Sequence, residues 1–138
     1  MSDDKPVVVV GVDGSELSNK AVEWATRYAE STGATVQLVS AWQWALSYGA
    51  PMMYDGYDPT ADAEAIVAKV RADVSLPAER VETVVREGQA GPTLVDASKG
   101  ALALVVGSQG HSAISKILLG SVSSYCVHHA ECPIVIVR

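Results

Sequence analysis

The chain has 138 residues, 49% of them hydrophobic, enough for one domain around one core and too apolar for global disorder. A formal net charge of −6 excludes a nucleic-acid backbone as the expected partner, because phosphates call for basic surface. No apolar run reaches the length of a membrane span, and the two cysteines, Cys126 and Cys132, are too few for a disulfide scaffold and lack a metal-ligand pattern.

The N-terminus, Met1-Ser2-Asp3-Asp4-Lys5, has neither a basic start nor an apolar signal core, so the expectation is a cytoplasmic protein with reduced thiols. Pro6 to Val10 is a β-branched run of the kind buried on both faces of a parallel sheet. It ends in the glycine-flanked turn Gly11-Val12-Asp13-Gly14-Ser15, where Ser15 or Ser18 is placed to cap a helix. Leu17, Ala21, Trp24, Ala25 and Tyr28 then recur at helical spacing, and Gly33 is the stop signal. Ala34 to Trp42 reads as a second strand.

Residues 43–58 show no clean period and carry Trp44, Tyr48, Met52, Met53, Tyr54 and Tyr57. The stretch reads as a long loop, either a flap over the sheet edge or an aromatic and Met-rich contact surface. Pro59 to Asp73 reads as a helix with Ala63, Ile66, Val67 and Val70 inward, and Val81 to Arg86 as a third, less buried strand. Gly91-Pro92-Thr93 opens a short helix that Gly100 ends, and Leu102 to Val106 is the fourth strand. Val122, Tyr125, Cys126 and His129 predict the buried face of a last helix, before the closing strand Pro133 to Val137. Strands alternating with helices predict a single-domain α/β fold over residues 1–138, an open parallel sheet with helices on both faces. Such sheets take ligands beyond the carboxyl ends of the strands, where strand order reverses.

Two glycine-rich turns fall there, Gly11 to Ser15 and Gly107-Ser108-Gln109-Gly110-His111-Ser112, the second completed by Gly120-Ser121-Val122-Ser123. The spacing Gly-x2-Gly-x9-Gly-Ser is neither a Walker A loop nor a dinucleotide fingerprint. Each glycine alone is compatible with a tight turn. Together, after a strand and before a helix start, they predict a phosphate cradle with donors at Ser121, Ser123 and the Val122 amide. Asp13 admits two readings, a cap for its own turn or a group holding a ribose hydroxyl or divalent cation. His111 reads equally as a phosphate donor or a solvated loop residue. His128 and His129 suit a helix C-terminus, and Cys126 reads as a small core residue. No nucleophile–base–orienter set is present and no Gly-Lys-Ser/Thr occurs, so any phosphoryl chemistry is expected to be slow.

The motifs around Asp13 and Gly107, with Leu119-Gly120-Ser121-Val122-Ser123, His128-His129-Ala130 and Cys132 to Arg138, resemble the universal stress protein (UspA-like) family over the whole chain. The resemblance implies an adenine-nucleotide alpha hydrolase-like sheet of five strands in the order 3-2-1-4-5. It also implies a homodimer paired through the C-terminal strand Pro133 to Arg138, and membership of the ATP-binding-motif subgroup, with AMP or cyclic AMP as other ligands. Carried over by position, Gly11, Val12 and Asp13 would border the nucleotide and Ala41 the adenine. Gly107, Ser108, Gln109, Gly110, His111 and Ser112 would wrap ribose and phosphates, and Gly120, Ser121, Val122 and Ser123 would hold the phosphates. A magnesium or manganese ion would accompany the phosphates near Asp13. The function implied is a dimeric stress-response sensor, against a nucleotide-independent interaction protein of the same fold. This chain departs from the pattern at Ser112, where many binders have glycine, and in a brief helix from Pro59 to Asp73.

Overall fold

The computed structural model describes residues 5–43, 46–47, 50–51, 58–109 and 119–138. Its elements in chain order begin with β1 (Val7–Gly11), α1 (Glu16–Thr32), β2 (Thr35–Trp42) and two short strands, β3 (Leu46–Ser47) and β4 (Ala50–Pro51). Then follow α2 (Pro59–Ala72), a 3-10 turn at Ala78–Arg80, β5 (Val81–Glu87), α3 (Ala90–Ala97), β6 (Ala103–Gly107), α4 (Ser121–His129) and β7 (Ile134–Val137). The expected loop at 43–58 therefore holds a small antiparallel pairing, Leu46 with Pro51 and Ser47 with Ala50. The rest of its predicted contact surface lies outside the described residues.

The main sheet has the order β5-β2-β1-β6-β7, which is 3-2-1-4-5 counted among its own five strands, and every pairing in it is parallel. The β1 register matches Val10 to Leu38 on one side and to Val105 on the other. Because strand side chains alternate, β1 feeds two cores. Val8 and Val10 pack with α1 and α2 on one face, and Val9 packs with Leu94 of α3 and Cys126 of α4 on the other. Val8, Val9 and Val10 are all fully buried. Each such side chain contributes about 1.5–3 kcal/mol relative to an exposed one, which is why an uninterrupted valine run ends up at the centre of a covered sheet.

The helix ends follow local chemistry. Ser15 caps α1, its Oγ accepting the Ser18 N–H at 3.2 Å, and Gly33 closes α1 at φ 78°, a left-handed conformation that suits glycine. Asp58 caps α2, accepting from the Thr60 and Ala61 amides, with Pro59 in the first turn. Two helical faces differ from the expectation. On α1 the buried side is Ser18, Ala21, Val22, Ala25, Thr26 and Ala29, while Trp24 and Tyr28 are half-buried and stack on each other at 5.0 Å. Small residues let the helix lie close to the sheet, and the aromatics cover its flank. On α4, Ser123 and Cys126 are buried and Val122 half-buried, whereas Tyr125 and His129 are exposed and pack together with ring centres 4.2 Å apart. The predicted face was apolar, and the real one is set by a buried hydroxyl.

Candidate functional site

The carboxyl ends of β1 and β6 point to the same side, and strand order reverses between them: β1 leads outward to β2, and β6 leads outward to β7. A cleft of about 460 Å³ opens there, within the usual size of a small-molecule site. Its floor is made by the strand ends Gly11, Val12, Val39, Ala41, Val106 and Gly107. Ala90 and Leu94 of α3 give it an apolar wall, and Asp13, Ser18, Gln109 and the segment from Leu119 to Ser123 at the start of α4 complete its lining.

The first turn is tied down by its own side chains. The Ser15 N–H donates to Asp13 Oδ1 at 2.8 Å, the Asp13 N–H donates to Ser18 Oγ at 3.1 Å, and Ser18 Oγ donates in turn to the Gly11 carbonyl at 3.3 Å. Asp13 thus fills the turn-capping role, and it is also half-buried at the rim of the cleft. It is the only carboxylate that lines the cleft among the described residues. No group of three His, Cys, Asp or Glu side chains gathers there or elsewhere among them. Among the described residues Asp13 is therefore the one carboxylate that could meet a divalent cation here, the remaining ligands having to come from phosphate, water or backbone oxygens.

The second turn is anchored by backbone. The Ser108 N–H donates to the Val137 carbonyl at 2.8 Å, and the Ser108 carbonyl accepts the Gly120 N–H at 2.6 Å and the Ser123 hydroxyl at 2.8 Å. These bonds set the N-terminus of α4 against the end of β6. The amides of the first turn of any helix have no acceptor within the helix, and the helix dipole is positive there. The arrangement combines an apolar slot able to take a planar ring with a helix start able to take an anion.

Of the sequence-predicted residues, the cleft brings together Gly11, Val12, Asp13, Ala41, Gly107, Gln109, Gly120, Ser121, Val122 and Ser123. Ser108 is buried behind them and acts through its backbone. Gly110, His111 and Ser112 lie outside the described residues. The strand-end glycines have a packing reason in this fold. A Cβ on Gly11 would stand 2.9 Å from Leu94 Cδ1, and one on Gly107 would stand 3.0 Å from Leu17 Cβ and 3.2 Å from the Leu17 carbonyl carbon. Ala90, Leu94 and Ser18 are cleft residues that the sequence did not mark as such, Ser18 having been only a candidate cap. The one available signal was the helical spacing that turns Ala90 and Leu94 to a common side.

Cys126 is fully buried, and burial, with a smaller contribution from nearby Cys132, pushes its thiol up to about 11. It stays protonated at neutral pH and packs as a core residue, as its position in the sequence implied. Both cysteines are free. No described helix is long and apolar enough to cross a membrane.

An open parallel sheet with its cleft at the strand-order reversal defines a doubly wound α/β protein whose site lies beyond the strand carboxyl ends. The universal stress protein family model matches residues 6–138, and the chain belongs to that family. It is 35% identical over 140 residues to a universal stress protein of Mycolicibacterium smegmatis, covering 95% of this chain and 47% of that one. It is 33% identical over 150 residues to one of Mycobacterium tuberculosis, covering 94% and 47%. The chain thus spans about half the length of the curated relatives it matches. Among solved structures, a universal stress protein in complex with cAMP superposes with a TM-score of 0.70 at 25% identity, covering 96% of both chains. The universal stress protein from Archaeoglobus fulgidus superposes at 0.74 and 19% identity, covering 96% of this chain and 93% of that one, a likeness of fold. The fold is the adenine-nucleotide alpha hydrolase-like one.

Proposed function

We propose that the chain binds an adenine nucleotide in the cleft between the ends of β1 and β6 and works as a dimeric stress-response sensor. The ligand is ATP with a divalent cation, with AMP or cyclic AMP as the alternatives. The base lies against Ala41 and the apolar wall, ribose and phosphates run along the two turns, and the phosphates meet the first turn of α4. The observation that carries this reading is the pairing of an apolar slot with a helix N-terminus in one cleft. Support comes also from the relative in complex with cAMP, and from structures of the fold in complex with dAMP and with AMP. Hydrolysis is slow or nil, because the sequence offers no Gly-Lys-Ser/Thr to pull on a terminal phosphate. Calorimetric titration of nucleotide-free protein with ATP and magnesium tests it: saturable binding is expected, and no heat at millimolar ATP rejects it.

The second reading, an interaction protein independent of nucleotide, is favoured by one observation. Packing alone accounts for Gly11 and Gly107. Replacing Gly120 and Ser121 together by alanine separates the two. Failure to rescue the stress phenotype of a deletion strain, with the dimer still folded, supports the nucleotide reading, and full rescue supports the other.

A further inference from the structure

We propose that Ser123 is a positioning residue for the anion end of this cleft, acting through the placement of α4 and not by touching the ligand. Its functional consequence rests on the nucleotide-binding reading, while its structural half stands alone. Ser123 is 2% exposed, and its Oγ lies 2.8 Å from the Ser108 carbonyl and 3.1 Å from the Gly120 carbonyl. A hydroxyl has one proton. Shared between these two carbonyls, it leaves none to donate to a phosphate oxygen.

The carbonyl that receives it is the pivot of the second turn. Ser108 C=O also accepts the Gly120 N–H at 2.6 Å, and the N–H of the same residue is held by the Val137 carbonyl at 2.8 Å. The end of β6, the end of β7 and the start of α4 are thereby locked to one residue. What α4 offers an anion is its first-turn amides, and a hydrogen bond weakens steeply once it is misaligned.

The way α4 is anchored leaves those amides without a side-chain cap among the described residues. In α1 and α2 a side-chain oxygen sits on the amides of the first turn, from Ser15 and Asp58. A ligand there would have to displace it. The cap position of α4 is Gly120, and among the described residues no side chain caps it. Its anchor is moved inside the helix, to the third residue, where the hydroxyl bonds backward to carbonyls. The helix is held firmly while its first turn, Ser121 to Ser123, lines the cleft without a described side-chain cap.

The test compares Ser123→Ala with the unmodified protein in two measurements. The first is hydrogen exchange of the ligand-free protein, and the second is titration with AMP and with adenosine, which lacks the phosphate. In the alanine variant the Gly120 amide is expected to exchange at least tenfold faster, with amides of β1 and β2 unchanged. AMP is expected to bind about tenfold more weakly and adenosine as before, the loss matching one hydrogen bond to a charged group. Ser123→Cys keeps the shape with a weaker donor and reports the same changes if the alanine variant does not fold. Unchanged exchange at Gly120 overturns the proposal. So does weaker AMP binding without faster exchange, which makes Ser123 a direct ligand, and so does an equal loss of AMP and adenosine. If the unmodified protein binds neither molecule, the nucleotide reading falls, and the exchange result still decides the positioning role.

Discussion

At the scale of single residues, the two strand-end glycines look alike in sequence and differ in what surrounds them. A Cβ on Gly107 meets the backbone of Leu17 at 3.2 Å, and backbone cannot step aside without moving the start of α1. Gly107→Ala is therefore expected to cost roughly 1–3 kcal/mol, read as a lowered urea midpoint. A Cβ on Gly11 meets the tip of Leu94, which can rotate, so Gly11→Ala is expected to cost less than about 1 kcal/mol. Leu94 also lines the cleft, so the same variant should weaken adenosine binding. A stability loss at Gly11 equal to that at Gly107 would show that the Leu94 side is as rigid as the Leu17 backbone. Cys126 gives a pH signature. Its thiol rises from 9.0 to about 11 in the folded protein, so between those values the unfolded chain has lost a proton that the folded one keeps. Stability is then unaffected by this group below pH 9 and falls as pH rises toward 11, by about 1.4 kcal/mol per unit. Urea melts at pH 8 and 10.5 should show the stability advantage over Cys126→Ala shrinking at the higher pH. An advantage that does not change with pH removes the linkage.

At the scale of elements, the sheet was readable because its strands are uninterrupted apolar runs punctuated by glycine, and burial on both faces leaves no other home for Val7 to Val10 or Leu104 to Val106. The caps at Ser15 and Gly33 were readable because they are local. The inward face of α4 was readable in part: Cys126 is buried and Val122 half-buried as expected, but the same spacing also selects the exposed Tyr125 and His129 and is blind to a serine buried by its bonds to Ser108 and Gly120. The apolar wall of the cleft was hidden for a similar reason: it comes from α3, brought across the sheet by tertiary packing with no motif of its own. Arg80 is a third case. It sits in the 3-10 turn before β5, yet its guanidinium donates to the Ala34 carbonyl at 2.9 Å and to the Ala29 carbonyl at 2.6 Å, the latter already accepting the Gly33 and Ala34 amides, so it reinforces the end of α1 from far along the chain. The same side chain thereby ties the end of α1 and the start of β2 to the turn that leads into β5. Arg80→Ala is expected to lower stability by about 1–3 kcal/mol, and Arg80→Lys to recover only part, since an ammonium cannot reproduce the fork. Equal unfolding midpoints for the alanine variant and the unmodified protein would show that these bonds contribute nothing.

At the scale of the whole molecule, the sheet has two edges, and they are built differently. On β5, Glu82, Thr83, Arg86 and Glu87 are exposed, and charges along an edge discourage pairing with another chain. On β7, Ile134, Val135, Ile136 and Val137 are all half-buried and none is charged. The backbone of β7 shows which groups remain available. Pro133 accepts from the Leu104 amide and Val137 from the Ser108 amide, so the odd-numbered residues turn their backbone groups toward β6. In a parallel ladder the intervening residues, Ile134 and Ile136, then present theirs to the outer edge, which no described strand pairs. A second copy meeting this edge would gain main-chain bonds at those two positions and cover the half-buried side chains, which supports the proposed homodimer through Pro133 to Arg138. Sedimentation should give twice the 14.5 kDa chain mass. Ile136→Pro removes one outward N–H while leaving the ladder to β6 intact, and is expected to yield a folded monomer. Val135→Pro removes an inward one and should damage the fold itself. If the Ile136→Pro protein remains a dimer with its circular dichroism unchanged, subunits of this protein meet on another face.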